Sequence, residues 1–292
     1  MPSSQASVAP AGTGRRPRED EIDAHGVTHP GKVRRDNQDH YLLCSLRRQI
    51  VVRGSSIPEA DAVLGTESER LASMAMVADG VGGAAKGETA SRVALTGIAR
   101  YVTRSLRCYY RSEDEEDFSE ALREGARECH EELRRLAEEQ SEQRGMATTL
   151  TLFLTVWPRA YLLQVGDSRC YLLRDGELTQ ITRDQTMAQE MVDLGVMKPE
   201  QVAGTRLEHT LTSSIGGSQT QPTVTRFDMN WNTVLLLCSD GLTRHVADDR
   251  IRDVLRSMTS ARQACETLLQ EALAGGGTDN ITVVVGRVVR RH

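Results

Sequence analysis

Apolar positions along this chain recur with two periods. Short runs rich in Val, Leu and Ile at 40–46, 71–78, 147–156, 160–165, 169–174, 177–182, 233–238 and 281–289 predict strands. In 88–106, Ala90, Val93, Ala94, Gly97, Ile98, Tyr101 and Val102 fall at the i, i+3, i+4, i+7 spacing of an amphipathic helix. Residues 118–138 repeat that pattern with Phe118, Ala121, Leu122, Gly125, Cys129, Leu133 and Leu136. The acidic run Asp114–Asp117 precedes this second helix, where the macrodipole favours negative charge. Further helices are predicted over 248–257 and 261–273, the latter stopped by Gly275-Gly276-Gly277, and a short one over 186–194. Asp175-Gly176 and Pro158-Arg159 supply turns between strands. The stretch 47–70 reads as a widened hairpin with a surface loop, and 195–220 as a mobile loop rich in Gly, Ser and Thr.

Hairpin-linked strands alternating with pairs of helices predict an α+β fold with antiparallel sheets and helices outside, not a parallel doubly wound sheet. No GxGxxG or P-loop opens a βα unit, which argues against nucleotide binding as the main activity. Residues 1–20 are rich in Ser, Ala, Pro, Gly and Arg without periodicity and read as a flexible tail. Residues 21–292 then form one domain, with no internal repeat.

Composition narrows the function classes. The net charge of −5 over 292 residues gives no reason to expect capture of nucleic acid or an anionic membrane. No apolar run reaches the roughly 18 residues of a membrane span. The first residues lack a secretory signal, so a cytoplasmic protein is expected, with a monomer as the default. Six cysteines at 44, 108, 129, 170, 238 and 265 form no CxxC or CxxH pair and read as free thiols, mostly buried, rather than a zinc site.

The chemistry sits in aspartates at strand ends. Asp39 precedes Tyr41-Leu42-Leu43, Asp79-Gly80 follows Met74–Ala78, and Asp167 follows Tyr161–Gly166. Asp240-Gly241 follows Leu235–Ser239, and Asp279-Asn280 precedes Ile281–Val285. Carboxylates gathered at a sheet's rim repel one another and are costly to desolvate, and a hard divalent cation removes both problems. Each Asp-Gly taken singly is also an ordinary turn signal, as Asp175-Gly176 illustrates. Spacing alone leaves both readings open.

Six motifs in order resolve that ambiguity by resemblance. Arg34-Arg35-Asp36-Asn37-Gln38-Asp39 is similar to an R-x-x-N-[EQ]-D opening. Val77–Gly83 with Gly87-Glu88-Thr89-Ala90-Ser91 is similar to a V-A-D-G-M-G-G…G-E-x-A-S block, and Ala147–Leu150 to a G-x-T-x-x strand start. Val165-Gly166-Asp167-Ser168-Arg169, Leu237–Leu242 and Gly277–Thr282 match V-G-D-S-R, L-x-S-D-G-L and G-x-x-D-N-[IV]-[TS]. Together they span about 22–289, and the chain resembles the bacterial type of the PPM (PP2C-like) family of metal-dependent Ser/Thr protein phosphatases.

The resemblance implies a β-sandwich of two antiparallel sheets flanked by helices, with a flap subdomain at about 184–220. It implies two core Mn²⁺ or Mg²⁺ ions: Asp79 would bridge them, the Gly80 carbonyl would bind one, and Asp240 and Asp279 would complete the site. Asp39 would lie in its shell, and Asp167 with Asp240 would hold a third, weaker ion. Arg34, otherwise one member of the basic run Lys32, Arg34, Arg35, would grip the substrate phosphate. The implied substrates are proteins phosphorylated on Ser or Thr by a cognate kinase. Two positions depart from the pattern. Ala84 stands where relatives carry a His that is a candidate general acid, with Lys86 two residues on, and Gln185 replaces a His at the start of the flap. A catalytically weak regulator that binds phosphoproteins is therefore the competing reading, and a hydrolase of small phosphate esters a third.

Overall fold

Strands that are apolar on both faces need cover on both sides, and the computed structural model of the chain supplies it in four layers. It describes residues 15–49, 51–53, 56, 59, 68–109, 115–202 and 204–290. One sheet has the order β1 (Ile22–His29), β12 (Ile281–Val288), β11 (Val234–Cys238), β8 (Arg169–Arg174), β9 (Glu177–Gln180). The other runs β10 (Thr223–Asp228), β7 (Arg159–Val165), β6 (Leu150–Val156), β3 (Glu69–Ala78), β2 (His40–Arg48). All neighbours in both sheets pair antiparallel. The fold is α+β, as expected.

Side chains alternate between the two faces of each strand. In β3, Met74, Met76 and Ala78 face the helices α1 (Ala84–Tyr109) and α2 (Glu115–Glu139), while Ala75 and Val77 face the opposite sheet. In β11, Leu236 and Cys238 pack on α5 (Asp248–Ser257) and α6 (Ala261–Ala274), while Leu235 and Leu237 face inward. Fully burying one such side chain contributes about 1.5–3 kcal/mol. Phe118 of α2 meets Tyr161 of β7 edge-on at 4.9 Å, fixing where the helix lies on the sheet. Among the described residues no helix is long and apolar enough to cross a membrane. Cys129, Cys170, Cys238 and Cys265 are buried free thiols and Cys44 is a half-buried one.

Two strands carry no clear signal in the sequence. Among the described residues β1 and β10 are edge strands, each paired on one side, so they keep polar residues and lack a continuous apolar run. The strand expected over 147–156 is broken at Thr149 into β5 (Ala147–Thr148) and β6, and β5 pairs instead with β4 (Gly80–Val81). The turn expected at Pro158-Arg159 lies one residue earlier, because Arg159 already pairs with Val156 in the ladder. The short helix expected over 186–194 is α3 (Met187–Asp193), capped by the Thr186 side chain, which accepts from Gln189 N. The stretch 195–220 contains two 3₁₀ turns, Pro199–Gln201 and Arg206–His209. Most of the 47–70 loop, the first fourteen residues of the 1–20 tail, and the side chains of Cys108 and Asp114–Asp117 lie outside the described residues. Within that tail segment, Arg15 donates to Glu21 at 2.6 Å and Arg70 of β3 pairs with Glu19 at 2.8 Å.

Antiparallel pairing brings five chain segments to one rim of the sandwich. β2 and β12 start there, and β3, β7 and β11 end there, as the registers His40 with Ala78, Leu150 with Val165, and Cys238 with Val283 require.

Candidate active site

Asp79 emerges from the buried end of β3 and its backbone is clamped on both sides. Its N–H donates to Thr149 Oγ1 at 2.9 Å. Its carbonyl accepts from Thr149 N at 2.9 Å and from Thr148 Oγ1 at 2.8 Å. The break between β5 and β6 therefore has a purpose: Thr149 leaves the ladder to hold Asp79. Gly80 packs so closely on the first turn of α1 that a Cβ there would stand 2.2 Å from the Gly87 carbonyl oxygen. Only glycine fits at that approach.

Asp39 lies beneath, only 2 % exposed. Its Oδ2 accepts from Ser239 Oγ at 2.7 Å and from Thr282 Oγ1 at 2.8 Å, which ties β2 to β11 and β12. Its Oδ1 is buried with no partner. Burial pushes the Asp39 carboxyl up to about 7, against the pull of the two hydroxyl donors. Burial likewise raises Asp79 well above the usual carboxylate range, helped by the charges of Asp39, Asp240, Asp167 and Asp279. Asp167 is raised by burial and then by Asp240 and Asp184, and Asp240 by burial against the opposing pull of Arg244.

Above these groups is a cleft of about 480 Å³ lined by Asp79, Gly80, Asp167, Asp240 and Asp279, with Arg34 at its edge. The sequence-derived residues thus meet at one place, with Asp39 as the floor beneath Asp79. Arg34 binds Asp279 through Nε at 2.9 Å and Nη2 at 3.0 Å while its side chain stays 57 % exposed, so it can reach a ligand. Asn280 anchors the loop that carries Arg34: its Nδ2 donates to the Pro30 and Asp36 carbonyls at 3.0 and 2.9 Å, and its Oδ1 accepts from Gln38 N at 2.9 Å.

Two participants, Arg244 and His209, carry no mark in the sequence motifs. Arg244, at the end of the short helix α4 (Asp240–Thr243), donates through Nε to Asp240 Oδ2 at 2.9 Å and reaches Asp279 Oδ2 at 3.3 Å through Nη1. Its spacing of four residues from Asp240 on a helix was the available signal. His209 lines the cleft with Nδ1 4.0 Å from Asp240 Oδ2, although nothing around it in the sequence marks it. Lys86 donates its ammonium to the Arg144 carbonyl at 2.9 Å. Gln185 positions the backbone around it. Its Oε1 accepts from Gly166 N at 2.8 Å and its Nε2 donates to the Gln221 carbonyl at 3.0 Å. It joins both ends of the 184–220 segment to the strand end that carries Asp167. Beside it, Arg169 grips Asp184 with Nε at 3.0 Å and Nη2 at 2.7 Å.

Among the described residues no three His, Cys, Asp or Glu side chains are already drawn together as a ligand set. Arg34 and Arg244 hold Asp279 and Asp240 to themselves. The donor chemistry nevertheless suits hard divalent ions. Every ligand candidate is an oxygen, Asp39 and Asp167 are buried against the preference of a carboxylate, and Asp39 Oδ1 and Asp240 Oδ1 are both buried and unpartnered.

Comparison with known proteins gives this arrangement its context. Residues 52–275 match the family model described as protein phosphatase 2C. The chain is 37 % identical over 216 residues to the serine/threonine protein phosphatase PstP of Mycobacterium tuberculosis, an alignment that covers 73 % of this chain and 40 % of that relative. The chain thus spans well under half the length of that relative. It is 33 % identical to the protein phosphatase PhpP of Streptococcus pneumoniae, over 73 % of this chain and 84 % of that one. The crystal structure of the PstP catalytic domain in complex with two manganese ions superposes with a TM-score of 0.68 at 30 % identity, covering 92 % of this chain and 99 % of that one. A family match over most of the chain, a shared sandwich and the six ordered motifs agree: the chain belongs to the protein phosphatase 2C family.

Proposed function

We propose that the chain hydrolyses phosphoserine and phosphothreonine on proteins with the help of Mn²⁺ or Mg²⁺, reversing a Ser/Thr kinase. One observation carries the reading. Asp79, Asp167, Asp240 and Asp279, from four separate segments, line one cleft over the buried Asp39, two of the five keep unpartnered oxygens, and Arg34 stands exposed at the edge. The two manganese ions in the related catalytic domain support two core ions here. Asp79, Asp240, Asp279 and the Gly80 carbonyl would hold them, with Asp39 behind Asp79. When bound, such ions lower the pKa of water and offset phosphoryl charge.

The chain's own groups do the rest. Arg34 presents a planar guanidinium that suits two phosphoryl oxygens at once, and Asp279 holds it at the cleft edge until substrate arrives. The Thr148 and Thr149 bonds fix the Asp79 backbone, so its carboxylate needs little reorganisation during the reaction. Ser239 and Thr282 keep the Asp39 oxygen pointed toward them and leave its other oxygen directed away from them. Ala84 offers no proton to the leaving serine or threonine oxygen, and Lys86 is engaged with Arg144, so protonation there falls to water.

The test is phosphate release from a phosphothreonine peptide by the chelated protein, before and after Mn²⁺ or Mg²⁺ is restored, with Asp240→Asn alongside. Release restored by metal and absent in the variant is expected. No release in any metal from folded protein would overturn the reading in favour of a phosphoprotein-binding regulator.

A further inference from the structure

The two oxygens of Asp240 have different surroundings. Oδ1 is buried without a partner. Oδ2 accepts from both Nε and Nη2 of Arg244, the Nε contact at 2.9 Å. The pairing is local, because Arg244 follows Asp240 by one turn of α4. That turn is itself held in place: Gly241 lies against the Asn280 carbonyl so closely that a Cβ would come within 1.9 Å of its oxygen. The guanidinium is therefore seated by the fold and is not a loose surface chain. Its remaining nitrogen, Nη1, lies 3.3 Å from Asp279 Oδ2. Arg244 and Asp167 line the same cleft.

A third divalent ion between Asp167 and Asp240 would need an oxygen from each. Asp240 Oδ1 is free for a core ion, so the second oxygen would have to serve the third. That oxygen is taken by Arg244. An incoming doubly charged ion would meet a guanidinium in a partly buried site, where like charges repel strongly.

We propose that Arg244 supplies, as a permanent part of the chain, the positive charge a third ion would bring between Asp167 and Asp240, so that the cleft takes two divalent ions and no more. The inference rests on the divalent-cation reading above. It makes the charge at that end of the cleft independent of free metal concentration. Arginine suits the role, since it stays protonated across the accessible pH range and spans two carboxylates with its fork.

The experiment is a count of bound Mn²⁺ on the full chain, by calorimetric titration and by metal content after equilibrium dialysis. The wild type should bind two ions. Arg244→Gln, which keeps hydrogen-bond donors but loses the charge, should gain a third, weaker ion, and Arg244→Lys should stay at two. Three ions on the wild type would overturn the inference, whether or not the variants fold. So would a folded Arg244→Gln protein that still stops at two. A wild type that binds no Mn²⁺ would instead overturn the divalent-cation reading, and this inference with it.

Discussion

With divalent ions removed, the folded protein should lose stability as pH rises from about 4 to about 7. Asp39 is the clearest case. Burial raises its carboxyl from the ordinary 3.8 to about 7, with Ser239 and Thr282 pulling the other way. Between those values the folded state keeps a proton that the unfolded chain has already released. Deprotonation therefore favours unfolding, and stability falls as pH rises through the window. A shift of roughly three units at about 1.36 kcal/mol each is about 4 kcal/mol, a large part of the 5–15 kcal/mol that holds a typical domain together. Asp79, Asp167 and Asp240 are displaced in the same direction, but they share one field, so their contributions do not add. Divalent ions need ionised carboxylates and should remove or reverse the slope. The assay is thermal unfolding from about pH 5 to about pH 8, in chelator and in Mn²⁺, for wild type and Asp39→Asn. In chelator the wild-type midpoint should fall on the order of 10 °C, and Asp39→Asn should be flatter. A midpoint that rises with pH in chelator, or a variant as steep as wild type, would refute the reasoning.

Arg34→Ala should lower kcat/KM on a phosphothreonine peptide about 10²–10³-fold without moving the melting temperature, since the side chain is largely exposed; an unchanged kcat/KM would remove its role. Asn280→Ala deletes three hydrogen bonds to the Pro30–Gln38 loop and should cost about 2–3 kcal/mol in urea unfolding. A loss well below ~1 kcal/mol would mean that other contacts hold the loop. Gly241→Ala forces a methyl group to within 1.9 Å of the Asn280 carbonyl oxygen and should destabilise by at least about 1–3 kcal/mol; a variant as stable as wild type in the same denaturant titration would show that α4 can shift freely.

What the sequence made legible follows from where the information lies. β3, β6, β7 and β11 are covered on both faces, so their composition alone announces them. β1 and β10 need only one partner each and stay partly polar, which hides them. The aspartates were visible because each sits at one end of an apolar run, four of them next to Gly, Ser or Asn. Their supports were not. Ser239 and Thr282 look like ordinary strand residues until Asp39 is found against them, and Thr149 looks like strand until it bonds the Asp79 backbone. Arg244 had a helical spacing to Asp240, but only the structure turns that spacing into a contact. Gln185 reads in sequence as a lost histidine, while in space it ties both ends of the segment beside the cleft.

The place of β12 between β1 and β11 governs when the cleft can first assemble during synthesis. Asp39 Oδ2 is held by Ser239 and Thr282, 200 and 243 residues further along the chain. A ribosome adding roughly 5–20 residues per second needs on the order of ten seconds or more to cover that distance. Through that interval β1 lacks β12, its one neighbour in the sheet among the described residues, and one edge of β11 is open. Asp79 is already made, but its neighbours Asp240 and Asp279 are not. Until then the cleft lacks two of its carboxylates, and the nascent chain carries an exposed strand edge of the kind that chaperones must shield. Insertion of one valine-rich strand closes the sheet and assembles the cleft in the same step.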